Sequence, residues 1–563
     1  MSSNPSPAIA AFLSFIFPGA GQVYAGETRK GLIWAIPMFV FVVAVALILL
    51  GGQNALLGLV SSTPKRLALL VFNVAFFLYH LAAMLDAYAV ARHERTRSFG
   101  SSGYSGAAPI VLAALVSLTL VIHGLPEVYG IQAHNAISNI FNPDRPNPIP
   151  SGSFGVSSLP PISPTPSSVA TPTLTPTPTP SDSGGTPGPS GSPGPSGSAG
   201  PSTPAPPRTP PPPIDIGQWP GWAQDGKLNI LVVGTDSRSE TGVDDASLRT
   251  DTMLLLMIDI QTGKAAMFSF PRNMCTPAIG GSCGSESSES RYPDFLRIPL
   301  PAESAGAYPN GVFPEMLNAL WRRAAERPEF PGSEGIGQEC AQQYTCNRAW
   351  QALVGTIREM TAVQVDGIVS VNLNGFVALV DNLPPQCAPA PARVQIGNRD
   401  CYGGIWIDVP AAVHEDVYRT STGQQIELDI ERGCQFFDAE MALAYSRTRY
   451  ETSDYDRARR QQYVLTQIRK QLDPLALLPN IPGLLQVAQQ NLYLTFSDTD
   501  IPFLAEAASR IDADRIYRYD FAPAKVTALG SMQGIRDKVN NIFSEPEPEP
   551  ETKPNQEPCP PRG

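Results

Sequence analysis

Apolar and polar positions divide this chain into contrasting stretches. In the first 125 residues long apolar runs dominate, over residues 32–50, 67–90 and 107–122. Each is near the roughly 20 residues that a helix needs to cross a hydrocarbon core of about 30 Å. A shorter apolar run over residues 9–17 stops at Pro18 and predicts a half-helix or an interfacial segment. Between residues 142 and 220 apolar periodicity disappears. It returns beyond residue 226 in the pattern of a folded domain: strands over 228–233, 253–260 and 265–270, the last two paired through a turn at Gln261-Thr262-Gly263. Helices are predicted over 314–326 and 347–360, a strand over 367–373, and helices over 456–472 and near 501–511. This mixture predicts an α/β fold, an α+β mixed sheet flanked by helices, preceded by an α-helical membrane domain and a disordered linker. The expected organisation is a membrane domain of about three transmembrane helices at 1–125, a Pro/Ser/Thr/Gly-rich disordered linker at 126–225, a globular domain at 226–543 and a disordered acidic tail at 544–563.

Composition sharpens this division. Of 58 prolines, 25 lie between Asn142 and Pro220, a stretch too poor in apolar residues to bury a core. The formal net charge of -11 argues against general nucleic-acid binding, which needs a basic footprint. All eight cysteines follow the proline-rich stretch and none forms a Cys-x-x-Cys pair, which disfavours a zinc site. Cys275/Cys283, Cys340/Cys346 and Cys387/Cys401 have separations that suit local disulfides and so an oxidising compartment, while Cys434 and Cys559 are left without an assignment. Arg29 and Lys30 precede the first span, and Arg92, Arg95 and Arg97 lie between the second and third. The positive-inside rule therefore places the N-terminus in the cytoplasm and everything after the third span outside, which agrees with the cysteines. His80 and Asp86 are ionisable positions within the second span.

The densest chemistry is at Tyr445–Gln462, where Arg447, Arg449, Arg457, Arg459 and Arg460 fall within fourteen residues and no lysine accompanies them. A 3.6-residue period puts Arg457, Arg460, Gln461, Val464, Ile468 and Leu472 on one helix face, whose aliphatic part belongs to the core. Arginines on such a face need an anion, either nearby carboxylates or a phosphate-bearing ligand. Ser453-x-x-Asp456 has the spacing of a capping box and predicts a helix starting near Asp454, with its positive end toward the same anion. Three further motifs sit at strand ends or entrances: Gly234-Thr235-Asp236-Ser237-Arg238, Arg249-Thr250-Asp251-Thr252 and Ser269-Phe270-Pro271-Arg272-Asn273. Each alone reads equally as a polar turn or a local ion pair.

Taken in order, these motifs, with Asp438-Ala-Glu440-Met-Ala-Leu443-Ala-Tyr445-Ser-Arg447-Thr-Arg449 and Arg460-Gln461-Gln462, resemble the LytR-CpsA-Psr family over the whole C-terminal domain. Leu317-Asn318-Ala319 and Gly375-Phe376 match intermediate landmarks. The resemblance implies a membrane-anchored, extracytoplasmic enzyme that moves a glycopolymer from a polyprenyl-pyrophosphate carrier to peptidoglycan or a related wall acceptor through a phosphodiester. Carried over residue by residue, it implies Asp236 and Asp251 as ligands of Mg2+, with Arg272 joining them in catalysis. It implies Arg249, Arg272, Arg447, Arg449 and Arg460, with Gln461, as pyrophosphate-binding residues. Arg457 and Arg459 read equally as structural. The family's usual Asp after Pro-Arg is Asn273 here. The helices over 314–326 and 347–360 are the expected walls of a lipid groove.

Separately, Pro18-Gly-Ala-Gly21-Gln22-Val-Tyr24-Ala-Gly26 with Gly31 resembles the PGxGQxYxG signature of a small bacterial membrane module. Two other functions use the same residues: hydrolysis of a pyrophosphate-linked glycan, and a non-enzymatic membrane-tethered anchor or sensor whose arginines are held in ion pairs.

Overall fold

Each long apolar run folds as a helix longer than the run itself. In the computed structural model, which describes residues 5–51, 58–99, 107–141, 211–236, 249–277, 291–332, 346–385, 393–394, 401–448, 454–471, 480–549 and 559, these are α3 (Thr28–Leu50), α4 (Thr63–Phe99) and α5 (Ala107–Ile140). All three are long and apolar enough to cross a membrane. They are preceded by α1 (Pro7–Ile16) and the single-turn α2 (Ala20–Tyr24). Phe39 and Ile110 are 65% and 71% exposed, a side-chain choice that suits lipid as the surrounding medium. The Gly21 position of the glycine signature has a packing reason: a Cβ there would lie 2.0 Å from the Ala10 carbonyl oxygen, so only glycine lets α2 touch α1. Asp86 accepts hydrogen bonds from Gln22 Nε2 and Trp34 Nε1, each at 3.1 Å, and His80 bonds the Phe15 carbonyl at 2.8 Å. Both ionisable positions therefore tie helices of the bundle together.

The expected linker boundary at residue 125 falls inside α5 and is corrected. Apolar positions continue past Pro126 through Val128, Ile131 and Ile140, and Phe141 packs against the C-terminal domain. The far boundary moves too. Ile214, Trp219, Trp222 and Ala223 fill one face of the sheet, so the domain starts before residue 226.

The domain's main sheet has the order β10-β4-β1-β2-β3-β11, formed by β1 (Lys227–Thr235), β2 (Thr250–Asp259), β3 (Ala265–Ser269), β4 (Gly367–Val371), β10 (Leu492–Leu494) and β11 (Tyr517–Asp520). It is mixed: β4 and β11 run parallel to their neighbours β1 and β3, and the other pairs are antiparallel. Alternation assigns the two faces. Leu231, Val233, Met253, Leu255 and Phe268 pack against α6 (Leu320–Glu326) and α7 (Asn347–Thr361).

Ile230, Val232, Leu254 and Met267 face the opposite side, toward Leu465 and Phe503. A second sheet, β5 (Arg393–Val394), β6 (Gly404–Val409) and β9 (Gly433–Asp438), lies with the hairpin β7 (Val413–Arg419) and β8 (Gln425–Ile430) around another core. Helices α8 (Leu373–Asp381), α9 (Ala439–Arg447) and α10 (Asp454–Gln471) pack on that core. After them come α11 (Ile481–Asn491), α12 (Ile501–Arg510), α13 (Pro523–Leu529) and α14 (Met532–Asn540).

The start of the tail is held to the domain, which corrects the disorder expected from residue 544. The Glu545 carbonyl accepts from the Tyr517 hydroxyl at 3.2 Å, and Glu547 pairs with Arg515 at 3.5 Å. Cys434 and Cys559 form a disulfide with a Cα–Cα distance of 5.6 Å, joining the tail to β9. Cys275, Cys346 and Cys401 are also disulfide-bonded, while Cys283, Cys340 and Cys387 lie outside the described residues.

Candidate active site

A cavity of about 220 Å³ lies where β1 and β4 end side by side. Crevices beyond the carboxyl ends of parallel strands are common ligand sites, because side chains from successive loops converge there. A bulge shapes its floor. Gly234 pairs with Thr252 and Thr235 with Thr250, which leaves Asp251 as the extra residue of β2. A Cβ on Gly234 would sit 2.9 Å from the Thr252 Cβ, so the backbone at this turn leaves no room for another side chain.

Arg272 follows β3 by way of Pro271 and turns back onto this bulge. Its Nη1 donates to both Asp251 oxygens, at 2.7 and 2.9 Å. Buried Asn318 holds both partners: its Nδ2 donates to Asp251 Oδ1 at 3.3 Å and its backbone N–H to the Arg272 carbonyl at 3.2 Å. Asp236, at the end of β1, accepts the Arg249 backbone N–H at 2.7 Å. Both aspartates and Arg272 line the cavity.

The opposite wall comes from α9 and α10. Arg447, the last residue of α9, enters the cavity while its Nη1 lies 3.4 Å from the Tyr418 hydroxyl. Burial pushes the Tyr418 phenol above its ordinary pKa, so it stays neutral beside this cation. Along α10 the cavity-lining residues are Arg457, Gln461, Val464 and Leu465, one helix face. Arg457 is buried and its Nη2 lies 3.5 Å from the Asp251 carbonyl. The N-terminal end of α8 borders the same space through Leu373 and through its cap Asn372, whose Oδ1 accepts the Gly375 N–H at 2.7 Å. Val232, Val371, Phe376 and Leu443 complete an apolar side. One space thus holds three guanidinium groups, two carboxylates and an apolar wall.

The arginines do not divide as expected. Arg460 is not among the cavity residues. Its Nε donates to the Tyr445 carbonyl at 2.8 Å and its Nη2 to the Thr448 carbonyl, so it caps the C-terminus of α9. Burial lowers its pKa from the ordinary arginine value. Arg457 takes the inward position instead. Arg459 pairs with Asp456 at 3.1 Å and Asp520 at 3.3 Å, a structural role. Arg249 contributes its backbone, and its side chain is not in the lining. Arg449, Ser453, Ser237 and Arg238 lie outside the described residues.

Helices α6 and α7 cover the far face of the sheet and do not wall the cavity, because their apolar faces are used in the main core. Asn273 does not line the cavity either, and its Oδ1 is buried without a hydrogen-bond partner. Asn372 and Ser446 line the cavity without having been picked out individually from the sequence, and Phe376, noted there only as a landmark, joins them. An Asn that follows a strand and precedes Gly375 by three residues is a readable cap signal for the first of them.

Among the described residues no three His, Cys, Asp or Glu side chains converge on a point. Asp236 and Asp251 border one cavity with space beside them. That donor set suits Mg2+, which keeps several waters and shares the rest of its shell with phosphate oxygens.

A search of protein families matches the chain to the model described as the LytR_cpsA_psr family over residues 211–291 and 334–542. Among characterised sequences, Biofilm regulatory protein A of Streptococcus mutans is 21% identical over 302 residues, which is 53% of this chain and 57% of that protein. The polyisoprenyl-teichoic acid–peptidoglycan teichoic acid transferase TagT of Bacillus subtilis is 27% identical over 178 residues, 31% of this chain and 48% of that protein. The chain thus spans about half the length of these relatives. Among solved structures, B. subtilis TagV aligns at 16% identity with a TM-score of 0.33, covering 57% of this chain and 98% of TagV. TagT bound to LI-WTA aligns at 17% identity and a TM-score of 0.33, covering 59% of this chain and 94% of that one. Every cavity residue falls inside the two segments matched by the family model, which together make up just over half of the sequence, and the chain belongs to the LytR_cpsA_psr family.

Proposed function

We propose that this protein transfers a glycopolymer from a polyprenyl-pyrophosphate carrier to peptidoglycan or a related wall acceptor, forming a phosphodiester. The observation that carries the reading is the mixed lining of one cavity, in which Arg272, Arg447, Arg457, Asp236 and Asp251 share the space with Val371, Phe376, Leu443 and Leu465. A lipid pyrophosphate likewise joins an anionic group to an apolar chain. The membership of the family and the name of the TagT relative support the same substrate class.

In this reading Arg272, Arg447 and Arg457 bind the pyrophosphate oxygens, and Gln461 adds a neutral donor beside them. Phosphoryl transfer depends mainly on positioning and on stabilising spread negative charge, which fixed guanidinium groups supply without reorganising. Asp251 orients Arg272 through their two short contacts, and Asn318 holds that pair in place. Asp236 and Asp251 would hold Mg2+, which when bound neutralises charge on the phosphates. The apolar wall takes the first isoprene units and keeps water from that side. With the N-terminus in the cytoplasm, α3 to α5 cross the membrane and the domain works outside, where its disulfides persist.

The test is turnover of a polyprenyl-pyrophosphate-linked glycan by the purified full chain. Arg447→Ala and Asp251→Asn are each expected to lower kcat about 100- to 1000-fold, the scale seen when one charge-stabilising donor is removed. Wild-type turnover by both variants would sink the assignment. Product found on the wall acceptor supports transfer, and product released only to water would favour hydrolysis.

A further inference from the structure

The contact between the membrane helices and the C-terminal domain has a charge at its centre. Arg66, near the start of α4, has a side chain only 4% exposed. Its Nη1 donates to the Val60 carbonyl at 2.8 Å, and its Nη2 lies 3.0 Å from Thr63 Oγ1 and 3.2 Å from Ser138 Oγ. Its Nε is 3.4 Å from His134 Nδ1. These partners are neutral groups or a histidine of the membrane helices. The carboxylate that meets the cation is Asp498 of the C-terminal domain, at 2.9 Å.

Asp498 is presented on a fixed turn. Ser497 and Asp500 close a capping box around it, and Trp222 Nε1 donates to Asp500 Oδ1 at 3.1 Å. The contact also continues into apolar packing. Phe141, directly after α5, joins the cluster of Trp219, Phe496 and Phe503, and α5 packs against α11 and β10. Helix α11 in turn packs against α8, so closely that a Cβ on Gly375 would lie 2.5 Å from the Asn491 Cβ. Because α8 supplies Leu373 and Phe376 to the cavity, α11 links a membrane helix to the cavity wall.

We propose that the multi-helix N-terminus is a docking seat for the C-terminal domain, closed by the Arg66–Asp498 pair, and that it holds the cavity at a fixed position relative to the bilayer. Without Asp498 the buried guanidinium loses its counter-charge, which makes the seat sensitive to one side chain.

Hydrogen–deuterium exchange on the intact chain in nanodiscs tests this without reference to catalysis. Arg66→Asp is expected to speed exchange at least tenfold across residues 492–500, in the other domain, and Asp498→Arg to do the same across residues 134–141. Asp498→Asn, which keeps the shape, is expected to act in the same direction. The combined exchange Arg66→Asp with Asp498→Arg should bring both segments back below either single variant. Strands β1 and β2 report whether the domain remains folded. Far-side exchange within twofold of wild type in all single variants, or no recovery in the double variant, would overturn the proposal.

Discussion

Replacing Arg460 by Met separates a structural arginine from a ligand-binding one. The guanidinium is buried against the end of α9, where it donates to the carbonyls of Tyr445 and Thr448. Met approximates the length and volume of the stem but leaves both carbonyls without this donor. A hydrogen bond from a charged donor contributes about 1.5–3 kcal/mol, and an orphaned buried carbonyl costs about 1–3 kcal/mol. Part of this is offset because a buried charge no longer has to be desolvated, as its lowered pKa indicates. A net loss of about 3 kcal/mol follows, or a fall in Tm of roughly 4–5 °C for a domain of this size. Thermal unfolding of the full chain in detergent measures it, alongside binding of a polyprenyl pyrophosphate well below the transition. The expected pattern is lower stability with affinity retained within about threefold. Unchanged stability together with affinity reduced a hundredfold would refute the capping role and return Arg460 to the ligand.

The Cys434–Cys559 bridge closes a separation of 125 residues, so Cys559→Ser is expected to destabilise the oxidised protein by about 2–4 kcal/mol, toward an entropic ceiling near 5 kcal/mol. Denaturant titration reads the loss, and an unchanged midpoint would mean that the tail adds nothing. Asp366 accepts the Asn229 N–H at 2.7 Å in a half-buried position, and desolvation there pushes its pKa to about 8. The folded state therefore holds a proton that the unfolded state releases near pH 4, and stability falls as pH rises from about 4 to about 8, by at most roughly 6 kcal/mol. Asp366→Asn should flatten that slope in a series of Tm values against pH, and an unaltered slope would assign it to other groups. Asn318→Ala is expected to lower kcat by loosening the Asp251–Arg272 pair while leaving KM within about threefold; a rise in KM alone would argue against a positioning role.

Much of the main sheet is legible in the sequence because its strands carry apolar side chains on both faces. Residues 253–260 read as a strand for the same reason that they form one: Met253, Leu254, Leu255 and Leu256 all have a core to enter. The hairpin of β7 and β8 goes unread because β7 lacks alternation, with His414, Glu415 and Asp416 in a row, although β8 alternates Ile426, Leu428 and Ile430 with Gln425, Glu427 and Asp429. The apolar run over 107–122 does not show how far its helix extends, and α5 continues past Pro126 because its far end has a partner in the C-terminal domain. The two tryptophans at 219 and 222 lie beside a proline-rich stretch and acquire meaning only against Phe496 and Phe503.

At the site, motif order locates Asp236, Asp251, Arg272, Arg447 and Gln461, which the fold brings to one cavity. Periodicity cannot rank Arg457 against Arg460. Helix α10 is buried on more than one side, against the end of α9 and against the cavity, and spacing does not say which buried arginine meets carbonyl groups. Arg457 therefore emerges only in three dimensions.

The central claim is that a lipid pyrophosphate occupies this cavity with its charges on the arginine side. A structure of the full chain with a polyprenyl pyrophosphate and Mg2+ tests it most directly. The account expects phosphate oxygens within hydrogen-bonding distance of Arg272, Arg447 and Arg457, with the first isoprene units against Phe376, Leu443 and Leu465. A pyrophosphate bound elsewhere, with these three arginines still engaged only by protein groups, would contradict it.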